Sequence, residues 1–205
     1  MTTTATRSNS SVTVDSSVET YSRTKSVVFF KTDGTYGGLS NMCGRFPLSV
    51  NGIEIRNSES LYQSCRFPDH PEVQNLILDQ TSPLLSKNVS KPHRKDKSRT
   101  DWDMVQIEVM WWCLKVKLLQ NWDEFGGLLW MSGRRPIVEE SRKDTFWGTK
   151  STDEGTLVGS NVLGKLLMEL RHRYLTDKES LWIVDPPGIP NFRLMGDEIR
   201  TLTTA

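Results

Sequence analysis

The sequence predicts a helix-rich α+β domain, with a short strand and hairpin region on its N-terminal side and one central buried helix. Three observations lead there. Two short runs, Phe46-Pro47-Leu48-Ser49-Val50 and Ile53-Glu54-Ile55, flank Asn51-Gly52. Both residues of that turn need φ > 0, which Asn and Gly tolerate, so the stretch reads as a hairpin. Residues 101–120 are apolar over most of a helix circumference, the pattern of a helix inside a core. No composition break divides residues 25–200, so one domain is expected.

Residues 1–24 are rich in Ser and Thr and nearly free of large apolar side chains. Such a segment buries too little surface to offset its ordering entropy, so a flexible tail is expected. Order should begin at Ser26, with a β-branched and aromatic strand through Lys31. Asp33–Gly38 follows as a glycine-rich loop. After the hairpin, Ser58 suits the N-cap of a helix through Arg66. Residues 71–80 place Val73, Leu76 and Ile77 on one face behind Pro71, and Ser82-Pro83 opens another short helix. In the long helix, Thr100 and Asp103 resemble an N-terminal cap pair. Trp102, Val105, Val109, Trp112, Val116 and Leu119 form one stripe beside Ile107, Trp111, Leu114 and Leu118. Leu163, Leu166, Leu167, Leu170 and Tyr174 define a last long helix. The Pro-rich extension from about 185 cannot be helical, and 192–199 reads as a short strand and turn.

Composition excludes several classes. With 205 residues the chain can bury a sizeable core. A net charge of +1 argues neither for nor against nucleic acid. Cys43, Cys65 and Cys113 are odd in number and lack CxxC spacing, which points to a reducing compartment. No apolar run reaches ~18 residues and no hydrophobic leader opens the chain, so a soluble cytoplasmic protein without membrane contact is expected.

The segment Asp144-Thr145-Phe146-Trp147-Gly148 offers a carboxylate, two aromatic faces and a free backbone within five residues. Two carboxylates beside an aromatic surface suit cleavage of a glycosidic bond, whose transition state has oxocarbenium character. Glu59 is the second candidate. On local evidence alone the capping reading is favoured for Glu59, as are an Asx-turn for Asp144 and core packing for Trp147 and Tyr62. Residues 87–99 carry Lys87, Lys91, Arg94, Lys95, Lys97 and Arg99 with His93. They form either a solvated loop or a surface for pyrophosphate or a nucleic-acid backbone, to which Lys150 and Arg171 can add. The glycines at 34–38 match no phosphate-binding motif, though their amides can approach a phosphate. His70, His93 and His172 lack metal-ligand spacing, so no metal is expected. No G-x-S-x-G is present, which excludes the common acyl-transfer pattern.

In order, the chain holds Tyr36-Gly37-Gly38-Leu39-Ser40-Asn41, Ser58-Glu59-Ser60-Leu61-Tyr62-Gln63-Ser64-Cys65-Arg66-Phe67 and Arg99-Thr100-Asp101-Trp102-Asp103. Then come Ile137-Val138-Glu139-Glu140-Ser141, Asp144-Thr145-Phe146-Trp147-Gly148 and Asn161-Val162-Leu163-Gly164-Lys165-Leu166-Leu167-Met168-Glu169-Leu170-Arg171. This ordered set, over roughly residues 27–175, resembles the NADAR superfamily. The resemblance implies a compact helix-rich α+β domain and N-glycosidase activity without metal or cofactor. It implies Glu59, Asp144 and Trp147 as catalytic residues. It implies Ser40, Asn41, Asn161 and Gly164 as pocket residues, to which Tyr62, Gln63, Lys91, Arg94 and Lys150 are added as candidate substrate contacts. One branch of the superfamily cleaves early riboflavin-pathway intermediates. Another removes ADP-ribose from guanine modified by ADP-ribosyltransferase toxins. Arg66 in place of a lysine, the basic segment Lys91-Pro92-His93-Arg94-Lys95, Thr149-Lys150 after Trp147-Gly148, and the Pro-rich extension look like the second branch. The expected substrate is therefore ADP-ribosylated guanine in a nucleotide or nucleic acid, with a cognate toxin as functional partner. A riboflavin-intermediate glycosidase and a non-catalytic ADP-ribose reader are the alternatives.

Overall fold

The Asn51-Gly52 turn joins β3 (Leu48–Val50) to β4 (Ile53–Ile55), with φ of 54° and 79° at its two residues. The structure is a computed structural model and describes residues 12–203. Before the hairpin lie β1 (Glu19–Ser22) and β2 (Val27–Phe29). Helices α1 (Ser58–Ser64), α2 (Pro71–Leu78), α3 (Pro83–Ser90), α4 (Trp102–Gln120) and α5 (Trp122–Met131) follow. Then come β5 (Ile137–Glu139), β6 (Lys150–Ser151), β7 (Thr156–Gly159) and α6 (Val162–Thr176). The C-terminal part holds β8 (Ile183–Val184), β9 (Arg193–Leu194), β10 (Asp197–Glu198) and β11 (Leu202–Thr203). The result is a helix-rich α+β architecture in which β2 pairs in parallel with β5 and the other strand pairs are antiparallel.

The central helix is α4, as its stripes predict. From Val109 to Leu119 every side chain except Lys115 is buried. Lys117 is the surprise among them. Its ammonium donates to the carbonyls of Gly38 and Ser40 at 2.8 and 3.1 Å and faces the rings of Phe46 and Phe125. Burial pushes its pKa down to about 7. Lys117 thus ties the loop that leads into Ser40 and Asn41 to the core.

Several boundaries differ from expectation. Residues 1–11 of the expected tail lie outside the described residues, but 19–22 are a strand. β1 pairs with β7, placing Tyr21 opposite Leu157, and Tyr21 is buried beside Val138 and Leu157. One aromatic anchor outweighs the polar composition around it. The cap of α1 is Asn57 rather than Ser58: its Oδ1 accepts from the Ser60 amide at 2.9 Å. At α4 the cap position is Asp101, which binds Arg99, so Thr100 and Asp103 do not form a cap pair. Helix α5 is not among the helices that the sequence pattern predicts. Only Asn121 separates it from α4, and Gly126 lets it close on the ring of Tyr174. The extension folds back as expected of a strand and turn, and Phe192 meets Trp112 edge-on at 5.0 Å. No helix of the described residues is long and apolar enough to cross a membrane.

Candidate active site

Helix α1 supplies the centre of the site. Its residues are all buried, an unusual fate for Ser-Glu-Ser-Leu-Tyr-Gln-Ser. Asn57 caps the helix through the Ser60 amide, and the Glu59 side chain makes no capping bond. Glu59 is 4% exposed, and its two oxygens accept from Asn41 Nδ2 at 2.7 Å and Gln63 Nε2 at 2.9 Å. A carboxylate, an acceptor at both oxygens, matches that pair of donors. The carboxylate also fixes the Asn41 amide, whose Oδ1 is buried without a hydrogen-bond partner among the described residues. Gln63 continues the network, with its Oε1 accepting from Ser90 Oγ at 2.9 Å and Arg94 Nη2 at 3.1 Å.

The facing wall comes from the loop after β5. Asp144 Oδ1 accepts from the amides of Phe146 and Trp147 at 3.0 and 2.9 Å. The Asx-turn reading is therefore right for one oxygen, and it holds the indole in place. Trp147 meets Tyr62 edge-on at 5.8 Å, and Tyr62 lies 5.1 Å from Trp102. Burial first, then the nearby Glu59, drives the Tyr62 hydroxyl well above its ordinary pKa. The Arg66 guanidinium stacks 4.8 Å over Trp102 and gives Nε to Ser98 Oγ.

These residues line one cavity of about 460 Å³, within the range of small-molecule sites. Glu59, Asp144 and Trp147 converge there despite their separation in sequence. Ser40, Asn41, Tyr62, Gln63, Lys91 and Arg94 also line it. A groove of about 620 Å³ beside Glu54, Arg56 and Asp79 is larger, but no aromatic side chain lines it.

Three predicted pocket residues are elsewhere. Lys150 is exposed on β6 and lies outside the lining. Asn161 is buried in the left-handed conformation, φ 51°, where Asn is well tolerated. Its Nδ2 donates to Ile137 O at 2.9 Å and its Oδ1 accepts from the Glu139 amide at 3.0 Å, so it splints β5. Gly164 lets α6 approach that same strand, because a Cβ there would collide with Ile137 O and the Asn161 amide. The basic segment divides as well. Lys87, Lys91 and Arg94 line the cavity, whereas Lys95 is exposed away from it, Lys97 pairs with Glu72, and Arg99 with Asp101. Arg171 is held by Ser132 and the Arg135 carbonyl. The 34–38 glycines do not line the cavity. Gly37 instead packs on the backbone of Thr32.

Residues absent from the sequence-based set also face the cavity: Arg66, Trp102, Glu139 and Glu140 among them. Burial lowers the pKa of both Arg66 and Arg94; the charge of Arg94 lowers Arg66 further, whereas Glu59 partly offsets the fall at Arg94. Glu140 is paired with Arg23 at 2.8 Å. Glu139 is the other acid, and burial beside Asp144 pushes its pKa up to about 7. A Glu-Glu pair at the end of a short apolar strand was the available signal.

The NADAR domain family model matches residues 28–175. The N-glycosidase YbiA of Shigella flexneri serotype 5b is 33% identical over 153 residues, covering 73% of this chain and 89% of that protein. A riboflavin biosynthesis protein of Vibrio vulnificus is 32% identical over 147 residues, 71% of this chain and 37% of its own longer length. The NMR structure of the Escherichia coli protein YbiA superposes with a TM-score of 0.64 at 28% identity, covering 76% of this chain and 88% of that one. The chain therefore belongs to the NADAR domain family and is a hydrolase of N-glycosidic bonds.

Proposed function

We propose that the chain removes ADP-ribose from ADP-ribosylated guanine, in a nucleotide or nucleic acid. The observation that carries this reading is the joining of Glu59 to Arg94 through the Gln63 amide inside one aromatic-walled cavity. An oxocarbenium-like sugar needs negative charge at the first of these groups. A pyrophosphate attached to the same sugar needs cations a few ångströms away, and two guanidiniums can fork onto its oxygens. Arg66, Arg94, Lys87 and Lys91 are the cations on the wall made by α1, α3 and the turn after α3.

In this reading Glu59 stabilises the developing positive charge and takes a proton from the attacking water. Asp144 positions Trp147 through its Oδ1, and the indole with Tyr62 bounds the sugar and base. The unpartnered Oδ1 of Asn41 accepts a hydroxyl or N–H of the substrate. Ordered donors and acceptors of this kind supply orientation before reaction.

A second reading is a riboflavin-intermediate glycosidase, favoured by the name of the Vibrio vulnificus relative. One experiment separates the two. The protein is incubated with an oligonucleotide carrying one ADP-ribosylated guanine, with free ADP-ribosylguanosine, and with a ribosylaminopyrimidine phosphate. Products are resolved chromatographically. The proposal expects ADP-ribose and unmodified guanine as products, with the higher kcat/KM on the ADP-ribosylated substrates. Turnover of the pyrimidine alone would install the second reading, and binding of ADP-ribose with no turnover of any substrate would make the chain a reader.

A further inference from the structure

We infer that Glu139 is a further catalytic residue: the acid that protonates the departing base nitrogen while Glu59 acts on the water. The inference rests on the N-glycosidase activity and not on which base is released.

Glu139 ends β5, and its backbone is fixed from three sides. Its amide donates to Asn161 Oδ1 at 3.0 Å, and its carbonyl accepts from the Thr149 amide and hydroxyl at 2.8 and 2.9 Å. Gly148 permits this approach, since a Cβ there would stand 2.8 Å from the Glu139 carbonyl oxygen. The Glu139 carboxyl takes no part in this fixation. Its carboxyl makes no hydrogen bond or ion pair among the described residues, yet it lines the cavity with Glu59 and Asp144.

The surroundings decide its protonation. Burial is the largest influence, the negative charge of Asp144 the next, and Glu59 acts in the same direction. Only Lys87, on α3, opposes them appreciably. Arg66, Lys91 and Arg94 line the same cavity, but Arg94 is engaged with Gln63 and Ser90. Glu140, next in the chain, is neutralised by Arg23. On α6, packed behind β5, Lys165 is turned to Glu19 and Arg171 to Ser132. A carboxyl so placed holds its proton near neutral pH, with a pKa of about 7. Glu59, by contrast, faces two N–H donors. Two carboxyl groups on one cavity are the pair that glycosidic cleavage uses as acid and base.

The step balances. Water oxygen bonds to the anomeric carbon as the carbon–nitrogen bond breaks, and that electron pair stays on the base nitrogen. The nitrogen takes the Glu139 proton. The proton lost by water goes to Glu59, and exchange with solvent then restores both acids. One water is consumed.

The test is kcat and KM against pH for wild type and Glu139→Gln on whichever substrate the wild type hydrolyses. An acid must be protonated to act, so wild-type kcat should be present below about pH 7 and fall as pH rises through it. Glu139→Gln should lose roughly 100-fold or more in kcat at acidic pH, the scale for a positioned acid. Its remaining activity should lack the alkaline fall, with KM little changed. If Glu139→Gln does not fold, Glu139→Asp keeps the carboxyl and draws it back by one methylene. That variant should lose kcat while keeping the alkaline fall. Full kcat in either variant, a loss confined to KM, or an alkaline fall that survives Glu139→Gln would overturn the assignment. An active wild type with an unaffected Glu139→Gln removes only this inference, whereas a wild type inactive on every N-glycoside removes the inference and the activity together.

Discussion

Single residues in this site take their meaning from partners far away in sequence. Glu59 reads locally as a capping glutamate, and the cap is in fact made by Asn57, which leaves the carboxylate for Asn41 and Gln63. Lys91 and Lys95 look alike in a basic run, yet Lys91 lines the cavity and Lys95 does not. Lys91→Glu should therefore raise KM for an ADP-ribosylated substrate roughly tenfold or more, the scale of a lost charge-assisted hydrogen bond, with kcat largely kept. Lys95→Glu should leave both unchanged. Steady-state kinetics at fixed salt checks the pair, and equal effects from the two would return the segment to a solvated loop. Glu139 was not legible as a site residue. Its setting depends on Asp144, Glu59 and Lys87, none of them its neighbour on the strand.

At the scale of elements, the hairpin, the central helix and the last helix were readable because turn chemistry and apolar spacing are local. Strand β1 and helix α5 were not. The first rests on pairing with β7 across the chain, and the second follows α4 with only Asn121 between. Asn161 and Gly164 show how residues serve the site without lining it. Together they let α6 lock onto β5, whose end carries Glu139. Gly→Ala inside a helix ordinarily stabilises by up to about 1 kcal/mol. Gly164→Ala should do the reverse, because the added methyl meets backbone and a bonded amide. A loss of about 1–3 kcal/mol in denaturant unfolding is expected, with a fall in kcat as β5 shifts. An unchanged or higher unfolding midpoint would show that the helix and strand can part at little cost.

For the whole molecule, a net charge of +1 conceals a strongly uneven interior. One cavity gathers Glu59, Glu139 and Asp144 with Arg66, Arg94, Lys87 and Lys91. The central helix contributes a buried lysine that braces the loop beside Asn41. Global composition could not reveal this, because charges of both signs cancel in the sum. The ordered motifs did locate the family, since each motif falls on a wall of the cavity or on a splint behind it. The Glu59 charge is what drives glycosidic cleavage in the proposed mechanism. Its most direct test is kcat for Glu59→Gln beside substrate binding by the same variant. The exchange is mild in shape: the Asn41 amide can turn, offering its unpartnered Oδ1 to the new side-chain N–H. In Glu59→Gln kcat should fall by about 100-fold or more while substrate still binds. Full activity in Glu59→Gln would contradict it.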